Sequence, residues 1–347
     1  MVDKVIKAIL LLSPIVYIRS VAMNNFDLVI LHISAMVLFV ATFFDKPKRD
    51  FVGQKYIVYL LGIGLFSAAM HGFNLFIMDY LVNVFLAVVC LYVVIRYCRD
   101  IEGCFKFIVY AGIINILVWV VQVMGFSPVI PNYKYMETNG GIIGNAPRLS
   151  MYLSIISPFF IAMNKIWWVL LIPIPLIMRE ANILMALLLL FLLSDFRLNY
   201  KLWVIAFFAG AMFLFHDKLI NSIASRITTY KEVLTGFFNH PVSGYGLGIY
   251  PYGQEMVNTK IDYAVYSSLL QFIVGAGMLS IPLVYETIKR YIKNFSRFPE
   301  SLSLAILLML CIGEYPLEIK RLWITIIMIT GFFVIRRIDV AKQNCNS

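Results

Sequence analysis

Residues 166–194, IWWVLLIPIPLIMREANILMALLLLFLLS, decide the fold because two apolar arms meet there at one charged pair. Residues 166–178 and 181–194 carry no charge and number 13 and 14, so each arm forms about 20 Å of helix. The hydrocarbon core of a bilayer is about 30 Å thick, which predicts a hairpin whose tip, Arg179 and Glu180, lies inside the membrane. An arginine there needs water, a partner or an anionic ligand, which favours a functional intramembrane site. The alternative is a snorkelling arginine paired with its neighbour.

The composition of the whole chain also indicates a membrane protein. Of 347 residues, 61% are hydrophobic and 14% charged, mean hydropathy is +0.84, and apolar runs recur from end to end. We therefore predict an all-α polytopic membrane protein forming a single membrane domain, residues 1–347. Lys7 interrupts the first apolar run, so this run is predicted to be a span and not a cleaved signal peptide.

The charged and cysteine residues narrow the function classes. The net charge of +10 is accounted for by topology signals, so no nucleic-acid partner is predicted. The five cysteines show neither metal-ligand spacing nor a disulfide framework, and we predict that they are inert. No metal site and no cofactor are predicted.

The apolar runs and the basic residues together predict a topology of about 12 transmembrane helices. The predicted spans are residues 5–18, 26–44, 56–73, 75–95, 105–124, 149–163, 166–178, 181–194, 202–215, 263–286, 301–313 and 322–335. With both termini inside, cytoplasmic segments hold 19 of the 29 Lys and Arg residues, as the positive-inside rule expects.

Two long external segments follow from this topology. Residues 125–148 contain Pro128, Pro131 and the glycine-rich run NGGIIGN, which predicts a structured loop ending near Arg148. Residues 216–262 form the larger loop, in which apolar residues at steps of three and four define one helical face. That face consists of Leu219, Ile223, Ile227, Tyr230, Val233, Leu234 and Phe237.

Arg226 falls in the middle of this apolar face, at about 100° of rotation per residue. A cation on such a face requires an anionic partner. Two interpretations stay open, a bound anionic ligand or an ion pair with an acidic side chain such as Asp79.

The run HPVSGYGLG, residues 240–248, follows that helix. Its three alternating glycines, Gly244, Gly246 and Gly248, allow close backbone approach and can expose amides to phosphate oxygens. A turn that returns the chain to the next span explains the same pattern. His240 is either an acid–base catalyst or a residue at a helix end.

Taken together, these residues resemble the superfamily of bacterial O-antigen polymerases and O-antigen ligases, which are membrane glycosyltransferases. The specific part of the resemblance covers residues 216–285, with Arg226, then HPVSGYGLG, then SSLLQFIVGAGMLSIPLVY. Arg179 matches an arginine at the outer end of a short span, and a loop similar to GIIGNAPRLSMYL contains Arg148. Ligases carry His-Asn where this chain has Tyr266 and Ser267, which favours a polymerase of the Wzy type.

The resemblance implies an activity at the periplasmic face of the inner membrane. A repeat oligosaccharide linked to undecaprenyl pyrophosphate is the donor, and a second lipid-linked repeat is the acceptor. Arg179 and Arg226 would bind the pyrophosphate leaving group, with Arg148 as a weaker third. The base that deprotonates the acceptor hydroxyl is left open among Glu180, Glu232, His240 and Asp262.

Further contacts with substrate are predicted for the glycine run and for neighbouring aromatic residues. The predicted substrate-binding residues are Arg148, Gly244, Tyr245, Gly246, Gly248 and Tyr266. A chain-length regulator and a flippase are possible protein partners within the lipid bilayer. The competing functions are an O-antigen ligase acting on lipid A-core and a polysaccharide flippase or transporter. The absence of an internal repeat in the sequence disfavours the transporter.

Overall fold

The computed structural model describes most of the helical part of the chain. The described residues are 1–13, 30–51, 53–72, 75–126, 142–143, 146–178, 180–193, 237–247, 267–313 and 320–346, with 202, 205–206, 209–210, 224, 226–227, 230–231 and 233–235. Every regular element among them is helical. The elements are α1 (Val2–Leu12), α2 (Ile30–Thr42), α3 (Gln54–His71), α4 (Leu75–Tyr97), α5 (Ile101–Val123), α6 (Ala146–Met163), α7 (Trp167–Leu171), α8 (Pro173–Met178), α9 (Ala181–Leu193), α10 (Ser268–Ala276), a 3₁₀ turn (Gly277–Leu279), α11 (Ser280–Lys293), α12 (Pro299–Gly313) and α13 (Lys320–Asn346).

Several helices have the length and composition of membrane spans, which makes this a helical membrane protein. Four helical stretches in the described residues are long and apolar enough to cross a bilayer: Tyr80–Tyr97, Ile101–Val123, Ala146–Met163 and Ser268–Lys293. Shorter apolar helices are Leu31–Thr42, Asn182–Leu193 and Pro299–Ile312. The predicted number of 12 spans is larger than this set and stays a prediction.

Helix α6 forms the centre of the bundle. It packs against α5, α9 and α12, and every residue from 149 to 160 is buried. Pro158 lies inside this helix and cannot donate to the carbonyl four residues earlier, that of Ser154. The Ser157 hydroxyl donates to that carbonyl oxygen at 2.7 Å. The replaced hydrogen bond explains why a proline is tolerated in the most buried helix.

The predicted hairpin at residues 166–194 has unequal arms. The second arm is one helix, α9, whereas the first is divided into α7 and α8 at Ile172. Pro173 occupies the first position of α8, where its missing N–H is not needed by the helix. The prediction of two matched helical arms is therefore corrected: the proline residues divide the first into two short helices.

Ion pairs join several helix ends at one end of the bundle. Arg49 contacts Asp339 at 2.6 Å, Arg99 contacts Asp45 at 2.9 Å, and the N-terminal ammonium contacts Asp45 at 2.8 Å. The Arg49 side chain is only 2% exposed and also donates to the Cys98 carbonyl. These contacts bring together the start of α1, the segment after α2, the end of α4 and the C-terminal part of α13.

A second set of pairs at this end involves the start of α5. Lys7 binds Asp100 at 2.5 Å, and Arg336 bridges Glu102 and the buried Glu300. All of these segments belong to the set predicted to share the cytoplasmic side. The bundle thus places them at one common end, which is called the charged end below.

Candidate functional site

The segment His240–Leu247 docks through its backbone onto the junction between α10 and α11. The Met278 amide donates to the Pro241 carbonyl at 2.8 Å, and the Tyr245 amide donates to the Val274 carbonyl at 3.1 Å. The Gly246 amide donates to the Gly275 carbonyl at 3.0 Å. The junction follows α10, a helix of nine residues, and so lies about 14 Å along the helix from Ser268. The predicted single span 263–286 is therefore interrupted, and the docked segment reaches well below its outer end.

Two glycines make this close approach possible. Gly277 has φ of +70° and ψ of −164°, a region that is essentially restricted to glycine. A Cβ on Gly277 would lie 2.3 Å from the Val242 carbonyl oxygen. Gly244 has φ of +64°, and a Cβ there would lie 2.5 Å from the Gly275 carbonyl oxygen. Because both contacts are with backbone, no side-chain rotation can relieve them.

The amides of the glycine run donate to acceptors within the protein. The Gly244 amide donates to the His240 carbonyl at 2.9 Å, and the Leu247 amide donates to the Ser67 hydroxyl at 2.9 Å. Together with Tyr245 and Gly246, four successive amides are used in this way. These four amides are therefore occupied by protein acceptors in this structure, and the amide of Gly248 lies outside the described residues. Substrate binding by Gly244, Tyr245 and Gly246 through other atoms stays a prediction.

His240 lies at the edge of this docked segment. Its ring is exposed and contacts the Tyr245 ring edge to face, with centroids 5.0 Å apart. Phe237 packs below it against Val274, with Tyr245 at the border of the same small cluster. His240 is thus accessible and held next to an aromatic ring, as both of its interpretations allow.

Two polar residues of α3 contact the docked segment and were missed in the sequence. Ser67 holds Leu247, and His71 Nε2 lies 3.4 Å from the Ser243 carbonyl oxygen. They are four residues apart in a helix that is otherwise largely apolar, so they share one face. That spacing was the available signal, but it did not indicate which loop the two residues meet.

Arg226 belongs to a helical segment beside α10. The described residues between 224 and 239 are helical, and Arg226, Tyr230, Val233 and Phe237 follow the spacing of one helix face. Val233 and Phe237 are buried against Val274, and Arg226 is half buried.

This observed face is rotated slightly from the predicted one. Ile227 and Leu234, which were assigned to the packed face, are 62% and 45% exposed. The Tyr230 hydroxyl donates to the Ile312 carbonyl at 3.1 Å and ties the segment to the end of α12. Arg226 therefore lies on the same helix face as Tyr230, Val233 and Phe237, one turn before them.

The remaining predicted residues are spread over other elements. Arg148 is exposed in the first turn of α6. Glu180 is half buried just before α9, and its amide donates to the Pro175 carbonyl at 3.1 Å. Arg179, Gly248, Tyr266, Glu232 and Asp262 lie outside the described residues, as does the side chain of Asp79.

Ser267, which replaces the asparagine of the ligase pattern, has a structural role. Its buried hydroxyl caps α10 by accepting from the Leu270 amide at 3.1 Å. The same hydroxyl donates to the Cys311 carbonyl at 3.0 Å. The start of α10 is thereby fixed to α12.

Comparison with protein-family models, with curated proteins and with solved structures found no match.

Proposed function

We propose that this chain is a bacterial O-antigen polymerase, which joins undecaprenyl-pyrophosphate-linked oligosaccharide repeats at the periplasmic face of the inner membrane. The observation that carries the proposal is the docking of His240–Leu247 at the break between α10 and α11. Irregular backbone at membrane depth is tolerated where it is satisfied by protein or lines a cavity, and such places are common binding sites in membrane proteins. The resemblance over residues 216–285 supplies the class of reaction.

The proposed chemistry needs positive charge more than proton transfer to the leaving group. A diphosphate is a weak base, so departure from the sugar requires stabilisation of developing negative charge. Arginine suits this role because it is permanently charged and forms bidentate contacts with phosphate. Arg226 is the described arginine nearest to the docked segment in the chain. Arg179, outside the described residues, is the second proposed arginine, and Arg148 is a weaker third. Glu180 and His240 are the candidate bases for the acceptor hydroxyl.

The orientation is part of the proposal. The charged end of the bundle is the cytoplasmic side, in keeping with the predicted excess of basic residues there. A count of 12 spans returns both termini to this side. His240–Leu247 then faces the periplasm, where lipid-linked repeats are joined.

The direct test is polymerisation by purified protein with lipid-linked repeats as donor and acceptor. Loss of one charge-assisted contact to a developing anion reduces the rate by about 100- to 1000-fold, and we expect this for Arg226→Ala. Lys231→Ala is the matched control, because Lys231 is an exposed cation in the same helical segment. We expect this control to polymerise at the parental rate.

Two results with Arg226→Ala would contradict its proposed role, and a deletion strain tests the assignment as a polymerase. Near-parental polymerisation by folded Arg226→Ala would remove Arg226 from the site. Loss of the Arg226→Ala protein from the membrane would make Arg226 part of a structural ion pair. In a deletion strain, loss of the polysaccharide ladder with one repeat retained supports a polymerase, and loss of all attached repeats favours a ligase or flippase.

A further inference from the structure

Helix α11 carries its charges at one end only. The stretch Ser268–Lys293, which contains α10, the 3₁₀ turn and α11, is long and apolar enough to cross a bilayer, and its charged residues belong outside the hydrocarbon core. The last turns of α11 therefore extend beyond the hydrocarbon region. They contain Lys289, Arg290 and Lys293, whereas the first turns contain no basic residue.

The end of α11 meets the start of α3 around one aromatic ring. Arg290 Cζ lies 4.7 Å from the centroid of the Tyr56 ring, and Lys55 Nζ lies 5.4 Å from the same centroid. Two cations thus share one ring. The Tyr59 hydroxyl donates to the Leu279 carbonyl at 2.9 Å, which fixes the two helices relative to each other. We call Lys55, Tyr56, Lys289 and Arg290 the cationic cluster.

The cluster has more positive than negative charge. Glu286 lies 3.5 Å from Arg290 and 3.8 Å from Lys289. Among the ion pairs of the described residues, Glu286 is the carboxylate that contacts this cluster, and it contacts Lys289 and Arg290 and not Lys55. Lys289 and Arg290 are 59% and 53% exposed at their side chains, so an external anion can reach them. The cluster therefore has a net charge of about +2, which attracts phosphate.

An exposed apolar stripe lies beside the cluster on α11. Ile281, Tyr285 and Ile292 follow the spacing of one helix face and are 46%, 60% and 66% exposed. Basic residues next to an exposed apolar and aromatic face are typical of helices that contact anionic lipid. A soluble anion would use the charges but would leave the apolar stripe without a role.

We propose that the cationic cluster binds the headgroup of an anionic phospholipid in the leaflet at the charged end of the bundle. The phosphate group lies between Lys55 and Arg290, and the acyl chains run along the apolar stripe of α11. This site does not depend on the proposed polymerase activity, because it uses none of the residues assigned to that reaction.

The test is a titration of the delipidated full chain in detergent with phosphatidylglycerol, measured by native mass spectrometry. Phosphatidylcholine is the zwitterionic comparison. Each cation in contact with an anionic headgroup changes affinity by about fivefold, so we expect Lys55→Gln/Arg290→Gln to bind phosphatidylglycerol about 25-fold more weakly. Lys46→Gln/Lys342→Gln removes two other exposed charges flanking the charged end and should stay within twofold of the parent.

Several results would overturn the site. Equal weakening in the two double variants would mean general charge attraction, and equal parental affinity for the two lipids would mean no selectivity for anions. Inorganic phosphate that competes at the same molar concentration as the lipid would mean a soluble anion. Lys55→Arg/Arg290→Lys retains charge and should bind like the parent, and weak binding by this folded variant would also contradict the proposal.

Discussion

Replacement of Gly277 by alanine should release the docked segment His240–Leu247 from the bundle. Two costs add at this position. An alanine in a backbone region restricted to glycine costs about 1–3 kcal/mol. Overpacking against the Val242 carbonyl, which would lie 2.3 Å from the new Cβ, costs about 1–3 kcal/mol more. Movement of the segment relieves the overpacking, and a change in φ and ψ at residue 277 relieves the backbone cost. Either change weakens the contacts that hold the segment at the junction.

Hydrogen exchange of the segment amides measures this release. In the parental protein the amides of Gly244, Tyr245, Gly246 and Leu247 all donate hydrogen bonds, so we expect slow exchange. A loss of about 2 kcal/mol accelerates exchange by about 30-fold, since each 1.4 kcal/mol is about tenfold. We therefore expect acceleration of at least that size in Gly277→Ala.

Two glycines provide matched controls, one within α3 and one directly after its last residue. Gly72 has φ of +79° and ψ of 157°, but a Cβ there would meet no atom within 4 Å. Gly72→Ala thus tests backbone strain without overpacking. Gly62 has an ordinary helical conformation, and a Cβ there would also meet no atom within 4 Å. Gly62→Ala therefore introduces neither backbone strain nor overpacking. We expect both controls to keep slow exchange at residues 244–247, and parental exchange rates in Gly277→Ala would refute the tight docking.

Two further outcomes concern the charged end of the bundle. A cysteine at Asn239 should react with an impermeant thiol reagent from the periplasm, and one at Lys48 should not. Both side chains are exposed; Lys48 belongs to the charged end, whereas the docked segment next to Asn239 contacts His71, the last residue of α3. Reversed labelling would place His240–Leu247 inside the cell. Arg49 lowers the pKa of Asp339 from its ordinary value near 3.8, and the N-terminal ammonium lowers that of Asp45. The stability from these pairs is fully present above about pH 4 and is lost as pH falls through the lower folded pKa values. Asp339→Asn should therefore reduce the dependence of the thermal unfolding temperature on acid pH. An unchanged pH dependence in this variant would mean that the pair contributes nothing to stability.

The long helices of the core were predictable because their apolar runs have no competing interpretation. The predicted spans 75–95 and 105–124 correspond to α4 and α5, and 149–163 corresponds to α6. Their ends are set by charged residues and turns that are local in sequence. The interruption at Gly277 could not be predicted, because it depends on the carbonyl of Val242, which is distant in the chain and adjacent only in the fold.

The candidate site was predictable to a smaller extent. Helical spacing placed Arg226 on a packed face, and the observed stripe of Tyr230, Val233 and Phe237 agrees with it. The same periodicity assigned Ile227 and Leu234 to that face, because in a membrane protein residues facing lipid are also apolar. Hydrophobicity alone cannot separate the two environments. The roles of Ser67 and His71 required the position of the docked segment.

The interruption at Gly277 fixes the direction of α11. Met278 and Gly275 at the junction bind the docked segment, and the Leu279 carbonyl accepts from the Tyr59 hydroxyl of α3. The junction is therefore held from two sides, and α11 cannot change direction without loss of one of these contacts. Its direction determines where Arg290 meets Tyr56. Strained backbone persists only where surrounding contacts over-determine it, and here the contacts come from the docked segment and from α3. A tilt of α11 that begins at the cationic cluster therefore acts first on Leu279 and Met278, the residues that adjoin the docked segment.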